Sequence, residues 1–419
     1  MLKEERFICD LPWKHLSVHP HGNCSICCVS DHNYIGSQAT TGVDAKFKIH
    51  NVATDPIEDI INSDSYKTIR KEMLEGKKPL ACKTCWDVEE SGGRSKRVRD
   101  SVFDIDFDEI TNPDGSIDVD LSNIELRLGN FCNLKCRSCN AESSTSWIDD
   151  YYKLKDKVPL PSNFDKVKNS KWSNYDWVED QQFYDKLISN SPNIRQLHIS
   201  GGEPFLVHKH FYLLERLVED DLAKGIDIFY ITNGNYNFEK LIPVLEKLEN
   251  FHNVYISFSL DDIWERNAYI RKLSNFKLTI DNIKKFIERF NFNYTITQTI
   301  SAYNFLYCEE LSQYLVKEGL YKLDGTGLIP RIIPNHVHAP AYQNATVIPQ
   351  KIRQQKIDSI KDKLSNELYH DFYGRYYNSP YNNEISKFFK VTNAVDQLRK
   401  EKMNDHFPEL FNALKGELI

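Results

Sequence analysis

Eight of the ten cysteines fall into three short groups, and this grouping limits the chain more than any other feature. The groups are Cys24/Cys27/Cys28, Cys82/Cys85 and Cys132/Cys136/Cys139, with Cys9 and Cys308 standing alone. Thiolates at such short spacings are soft ligands, suited to zinc or iron. The N-terminus, MLKEERFICD, lacks the apolar core of an export signal. A cytoplasmic location is therefore expected, where cysteines serve as ligands or reactive groups rather than disulfides. No apolar run approaches the roughly 18 residues of a membrane span. The net charge of −7 argues against general binding to nucleic acid or an anionic membrane.

The 419 residues suffice for two or three domains. Residues 1–100 look irregular, with PWKHL, HPHGN and SGGR turn signals and one or two short helices around Ile57–Leu74. Asn112-Pro113-Asp114-Gly115 is a turn signal and a domain seam. From Ile124 onward β-rich runs alternate with helical ones. The expected strands are Ile124–Leu128, Ile194–Ile199, Ile226–Ile231, Val254–Leu260, Tyr294–Ile300 and Gly327–Ile333. Helices are expected at Phe205–Leu222, Phe238–Glu249, Asp281–Phe290 and Leu306–Glu318. Such alternation implies a parallel sheet, because parallel strands need crossover connections. Six units predict an α/β fold, a partial (β/α)6 TIM-like barrel. The polar stretch Tyr151–Asp180 reads as an insertion, and Lys351–Lys400 as helices outside the barrel.

The first expected strand runs into Cys132-x3-Cys136-x2-Cys139. Three thiolates can hold three irons of a [4Fe–4S] cluster, whereas full protein ligation takes four. The iron left open can bind a ligand. On spacing alone, a structural zinc loop borrowing a fourth ligand is the competing reading. Further motifs follow at the strand ends: Ser200-Gly201-Gly202-Glu203-Pro204, Thr232-Asn233-Gly234 and Ser259-Leu260-Asp261. Polar residues at the C-terminal ends of parallel strands are where barrels of this kind place active sites.

Over about residues 122–335 these motifs resemble the radical S-adenosylmethionine (SAM) superfamily. The resemblance implies that Cys132, Cys136 and Cys139 hold a [4Fe–4S] cluster with SAM on its open iron. It implies further that Gly201, Gly202, Glu203 and Pro204 receive the SAM amino group, that Ser259 contacts the ribose, and that Asn233 lies at the SAM site. Arg271 matches an arginine that meets the SAM carboxylate, with Arg266 nearby. The family's aromatic residue before the third cysteine is replaced by Ser138.

The pattern Cys9-x12-Gly22-x4-Cys27, then Cys82-x2-Cys85, resembles SPASM/twitch modules that bind a second, auxiliary [4Fe–4S] cluster. Such modules usually follow the barrel; here it comes first. Twitch-domain radical SAM proteins of phages and bacteria share this order. They also share the landmarks Pro12-Trp13, His19-Pro20-His21-Gly22, Cys27-Cys28, Cys82 through Glu89, Asp396 to Arg399 and Phe407 to Leu410. The competing assignment is a zinc ribbon on Cys24, Cys27, Cys82 and Cys85, and Cys28 is an alternative to Cys27. His15, His19 and His21 read as surface or loop residues, and Cys308 as a core residue.

The implied organisation is an auxiliary iron–sulfur module at 1–110, a radical SAM core at 122–335 and a C-terminal helical extension at 336–419. The implied activity is reductive cleavage of SAM to a 5′-deoxyadenosyl radical that abstracts hydrogen from a peptide or protein side chain. Oxidation or rearrangement of a small molecule such as a sugar or nucleotide is the enzymatic alternative. A non-catalytic metal-stabilised binding module is the alternative of another class. The enzyme would need a reducing partner such as flavodoxin or ferredoxin. Asp261, Asp262 and Glu265 are candidates for a general base by position only, and the run Arg94-Ser95-Lys96-Arg97 is a candidate contact for an acidic partner.

Overall fold

The computed structural model describes residues 7–30, 35–42, 46–90, 94–100, 106–160, 162, 164–171, 173–320 and 331–415. Two compact units are each drawn from several stretches of chain. One comprises Met1–Asn130, Phe164–Tyr230 and Ile242–Val254; the other comprises Phe131–Asn163, Ile231–Leu241 and Tyr255–Ile419.

The first unit is built on β1 (His15–Val18), β2 (Cys24–Ser25), β3 (Asn123–Leu128), β4 (Gln196–Gly201) and the start of β5 (Asp227–Thr232). Strand β1 pairs parallel with β3 and antiparallel with β2. Strand β3 then pairs parallel with β4, and β4 with β5. Alternation drives the arrangement: Ile124, Leu126 and Leu128 are fully buried, while Glu125 and Arg127 project from the other face. The helix Phe211–Glu219 crosses from β4 to β5 and buries Leu213, Leu214 and Leu217 at helical spacing.

Strand β1 was not expected, because residues 1–100 read as irregular. A four-residue HLSV run carries too little alternation to stand out, and all four of its residues are buried. His15 is therefore not a surface or loop residue. The residue is 1% exposed, with Nδ1 3.0 Å from both the carbonyl and the side-chain oxygens of Asn123. Two helices, Ile57–Ile61 and Asp64–Leu74, lie where one or two were expected.

The second unit holds most of β6 (Asn253–Ser259), β7 (Asn293–Ile300) and β8 (Arg331–His336), paired parallel in that order. Residues 327–330 of the expected last strand lie outside the described residues. The helix Phe276–Arg289 packs Phe276, Ile280, Ile283 and Phe286 inward and starts five residues earlier than its periodicity suggested, because Asn275 caps it by accepting from the Leu278 amide. C-terminal helices follow at Gln350–Ser359, Asn366–Phe372 and Ile385–Arg399.

The chain is thus α/β with parallel strands joined through helices. The stretch Tyr151–Asp180 is not a mere insertion. Tyr151 and Leu154 are buried in the second unit, and Phe164 and Trp177 in the first. The Trp177 indole donates to the Pro20 carbonyl at 3.0 Å. A handful of buried apolar side chains within a Lys/Asp-rich run are easily masked by its mean polarity. No helix among the described residues is long and apolar enough to cross a membrane.

Candidate active site

The cysteine loop begins just after β3 and is held by its own neighbourhood in the second unit. Ser144 Oγ donates to the Leu134 carbonyl at 2.6 Å, Ser146 Oγ to Cys132 O at 2.8 Å, and the Trp147 indole to Cys136 O at 2.7 Å. The Cys139 amide closes on Cys136 O at 3.1 Å, which folds the C-x2-C end into a tight turn. Burial pushes the Cys139 thiol up to about 12, with the neighbouring Cys136 and Cys132 sulfurs adding to the effect. The loop thus offers three thiols within eight residues, a sulfur-only donor set of the kind iron–sulfur clusters take.

Residues Lys135–Cys136 form a two-residue antiparallel pair with Arg271–Lys272, setting Arg271 opposite Cys136. The Arg271 guanidinium is buried, which alone would lower its pKa. Its neighbours Cys136, Asp261 and Cys132 outweigh that and raise it above the usual arginine value. Asp261 is fully buried; it accepts from Arg271 Nη1 at 3.3 Å and from the Thr299 amide at 3.0 Å. Arg266 instead pairs with Asp262 at 2.9 Å and with Glu310 at 2.5 Å. Of the two arginines, Arg271 is the one at the cysteine loop. Of the three carboxylates considered as a base, Asp261 orients Arg271, Asp262 is buried against Arg266, and Glu265 is exposed. Asn233 lies at the end of β5, with Nδ2 2.8 Å from Asn133 Oδ1 and 3.9 Å from Cys132 Sγ. Ser259 ends β6, level with Thr297 of β7.

Residues outside the expected set complete the loop's frame. Arg137 is buried, donates to Asp396 at 2.5 Å and Glu401 at 2.8 Å, and stacks over Tyr269 with its guanidinium carbon 3.6 Å from the ring centroid. Asp150 accepts from Lys135 at 2.8 Å and Arg399 at 2.9 Å. Asp396 and Arg399 belong to a C-terminal landmark visible in the sequence, but nothing there connects them to the cysteines.

In the first unit, β4 ends in the Gly-Gly-Glu-Pro turn. Gly201 has φ +130° and lies so close to β3 that a Cβ would stand 2.6 Å from the Leu128 amide nitrogen. The turn requires glycine there on both counts. Glu203 is fully buried and accepts from the Phe205 amide at 3.4 Å.

The same unit carries the N-terminal cysteines. Cys9, Cys27, Cys82 and Cys85 line one cavity with Trp86 and Lys96, and neither Cys24 nor Cys28 lines it. Burial pushes the Cys27 thiol up to about 12, with Cys9 and Cys85 among the charges that act on it. Cys82 is raised by burial, then by Cys27, Cys9 and Cys85. Cys24 sits in β2 opposite Val18, and its thiol is turned to the Gly22 carbonyl at 3.8 Å. Among the described residues no three Cys, His, Asp or Glu side chains converge on a single ion-sized point. Four thiols around a cavity suit a cluster, whose irons are spread over several ångströms, and a sulfur-only donor set is the one iron–sulfur clusters take.

The radical SAM superfamily matches residues 126–300 and an iron–sulfur cluster-binding domain of the SPASM family matches residues 9–86. An uncharacterized protein of Methanocaldococcus jannaschii, MJ0907, is 24% identical over 218 residues, covering 50% of this chain and 64% of that protein. Native anSMEcpe with bound AdoMet is similar over 60% of this chain and 61% of its own, at 16% identity and a TM-score of 0.38. TYW1 with a lysine–pyruvate adduct bound is similar over 56% and 71%, at 16% identity and a TM-score of 0.29. The chain thus matches less than two thirds of the length of MJ0907 and of anSMEcpe.

Proposed function

Because the chain belongs to the radical SAM superfamily and carries a SPASM-type iron–sulfur domain ahead of the barrel, we propose that it abstracts hydrogen from a peptide or protein side chain. The observation that carries this reading is the pair of thiol sets, one of three on the loop after β3 and one of four around the N-terminal cavity. When bound and reduced, a [4Fe–4S] cluster with SAM on its open iron supplies the electron that breaks a carbon–sulfur bond and yields the 5′-deoxyadenosyl radical.

The residues of this chain have distinct tasks in that scheme. Cys132, Cys136 and Cys139 hold three irons and leave the fourth to SAM. Glu203, fully buried after β4, receives the SAM ammonium, and Gly201 and Gly202 let the backbone approach it, with Pro204 fixing the turn. Arg271 offsets the negative charge of the thiolates and meets the SAM carboxylate. Asn233 and Ser259, at strand ends, supply polar contacts to the nucleoside half. Cys9, Cys27, Cys82 and Cys85 hold the second cluster. The peptide substrate rests on the resemblance of that four-cysteine pattern to modules found in peptide-modifying and in some small-molecule radical SAM enzymes.

Residues 1–110 act as the auxiliary module, 122–335 as the catalytic core and 336–419 as an extension bracing the cysteine loop through Asp396 and Arg399. We place the protein in the cytoplasm, with flavodoxin or ferredoxin as its reductant.

Anaerobically reconstituted protein with a strong reductant should convert SAM to 5′-deoxyadenosine and methionine, and Cys136→Ala should abolish this. Turnover surviving in that variant would overturn the mechanism. A deuterium-labelled peptide substrate should pass deuterium into 5′-deoxyadenosine. Transfer from a labelled sugar or nucleotide, and none from peptide, would replace the peptide with a small-molecule substrate.

A further inference from the structure

We propose that the start of the helix Lys96–Asp100, with Ser95 before it, closes the auxiliary site and sets its reduction potential: Arg97 pins the segments carrying Cys9 and Cys85, and Lys96 presents an ammonium to the cavity that the thiols line. The inference rests on the reading of that cavity as an iron–sulfur site.

A single guanidinium reaches both ligand-bearing segments. Arg97 Nη1 donates to the carbonyl of Ile8, the residue before Cys9, at 2.8 Å. Its Nε and Nη2 donate to the two oxygens of Glu89 at 3.0 and 2.7 Å. Glu89 lies on the helix Lys83–Glu90, which also carries Cys85. The same guanidinium lies over the ring of Trp86, the residue after Cys85, 5.0 Å from its centroid. Ser95 Oγ adds a short hydrogen bond to Glu89. The Arg97 and Glu89 side chains are 15% and 22% exposed, so solvent screens the pair only in part. Burial works against the Glu89 carboxylate, but the Arg97 and Ser95 hydrogen bonds prevail and hold it below the usual carboxylate range. A planar fork can grip a carboxylate with two nitrogens and still donate to a carbonyl with the third, which an ammonium cannot do in one fixed geometry. The glutamate that follows the Cys82-x2-Cys85 pair thus has a purpose, as the anchor for Arg97.

Both basic residues line the cavity; Arg97 is paired with Glu89, and the Lys96 charge also acts on Glu125. Lys96 lines the cavity beside Cys9, Cys27, Cys82 and Cys85. A cluster on four thiolates is an anion and becomes more negative on reduction. A fixed cation at its edge favours the reduced form and raises the potential, since local charge is one of the determinants of cluster potentials. A unit charge about 10 Å away at an effective dielectric near 20 changes the ratio of reduced to oxidised cluster about tenfold.

The test uses the full-length chain with Cys132→Ala, Cys136→Ala and Cys139→Ala combined, so that only the auxiliary site remains, reconstituted with iron and sulfide. Metal content and an EPR-monitored redox titration are measured with and without Lys96→Gln, Lys96→Arg and Arg97→Gln. Lys96→Gln should keep about four irons and lower the midpoint by about 59 mV, the one-electron equivalent of tenfold. Lys96→Arg should restore the parent midpoint. Arg97→Gln should speed cluster loss to a chelator. An unchanged midpoint in Lys96→Gln at full iron content refutes the electrostatic assignment, and unchanged chelator kinetics in Arg97→Gln refute the clamp. One zinc in place of about four irons in the parent removes the cluster reading itself, and the proposal with it.

Discussion

Replacing Gly201 with alanine tests whether the Gly-Gly turn is shaped by the strand beside it. Two costs add at this position. Its φ of +130° is a conformation that residues with a Cβ adopt only under strain, about 1–3 kcal/mol. The new Cβ would also stand 2.6 Å from the Leu128 nitrogen and 2.9 Å from its oxygen. These are backbone atoms in a paired strand and cannot swing aside, so overpacking adds about 1–3 kcal/mol. The expected destabilisation is about 2–6 kcal/mol. Gly76 supplies the control, because its φ is +74° and nothing lies within 4 Å of a Cβ there. Gly76→Ala should cost only the backbone term, about 1–2 kcal/mol. Urea unfolding of both variants, followed by tryptophan fluorescence, compares them directly. Gly201→Ala should be the more destabilised by about 1 kcal/mol or more, a factor of about five in the unfolding equilibrium. Equal losses would refute the claim that β3 presses on the turn that presents Glu203.

Three further outcomes are expected. Glu203→Gln should weaken SAM binding by about 1.5–3 kcal/mol, as for a hydrogen bond to a charged group, with iron content unchanged; titration of SAM against the cluster's EPR spectrum measures it, and unchanged affinity would reduce the motif to a turn. In the triple Cys132→Ala/Cys136→Ala/Cys139→Ala background, Cys9→Ala should lose the auxiliary iron and Cys24→Ala should keep it, whereas zinc lost with Cys24 and kept with Cys9 would install the ribbon. His210 is fully buried between the Val207 carbonyl and the Tyr230 hydroxyl, and burial lowers its pKa to about 4. Its neutral form therefore contributes stability that is complete above the unfolded value near 6.5 and is lost as pH falls toward 4, on the order of 3 kcal/mol in all. His210→Gln should flatten the fall in unfolding midpoint between pH 6.5 and 4.5, and an undiminished fall would assign it to other groups.

What the sequence revealed and what it hid divide by the range of the interaction. The strands of the barrel were legible because Ile124, Leu126 and Leu128 alternate with polar residues, and the crossover helices because Leu213, Leu214 and Leu217 repeat at helical spacing. The Cys132, Cys136 and Cys139 loop was legible because its three cysteines lie within eight residues of one another. Strand β1 was not, since its four residues find their place only by pairing with β3, over a hundred residues away. The buried residues of Tyr151–Asp180 were hidden by the lysines and aspartates around them, and the choice between Arg266 and Arg271 turned on a two-residue pairing with Lys135–Cys136 that no periodicity announces.

The frame around the cysteine loop makes the same point in energetic terms. Arg137 is 2% exposed and Asp396 9%, so both have given up most of their hydration. Buried ion pairs recover that loss only in part, which makes them poor sources of net stability. Their effect here is directional. Arg137, within the Cys136–Cys139 turn, is tied to Asp396 and Glu401 and stacked on Tyr269, while Asp150 joins Lys135 to Arg399. Two helix-borne residues, Asp396 and Arg399, thereby fix both flanks of Cys136 at once. A loop carrying three cysteines gains from such ties what packing alone does not give it, because apolar contacts tolerate sliding and charge-assisted hydrogen bonds do not. The sequence shows the arginine between two cysteines and the Asp-x2-Arg pair some 260 residues later; only the fold shows that they are parts of one device.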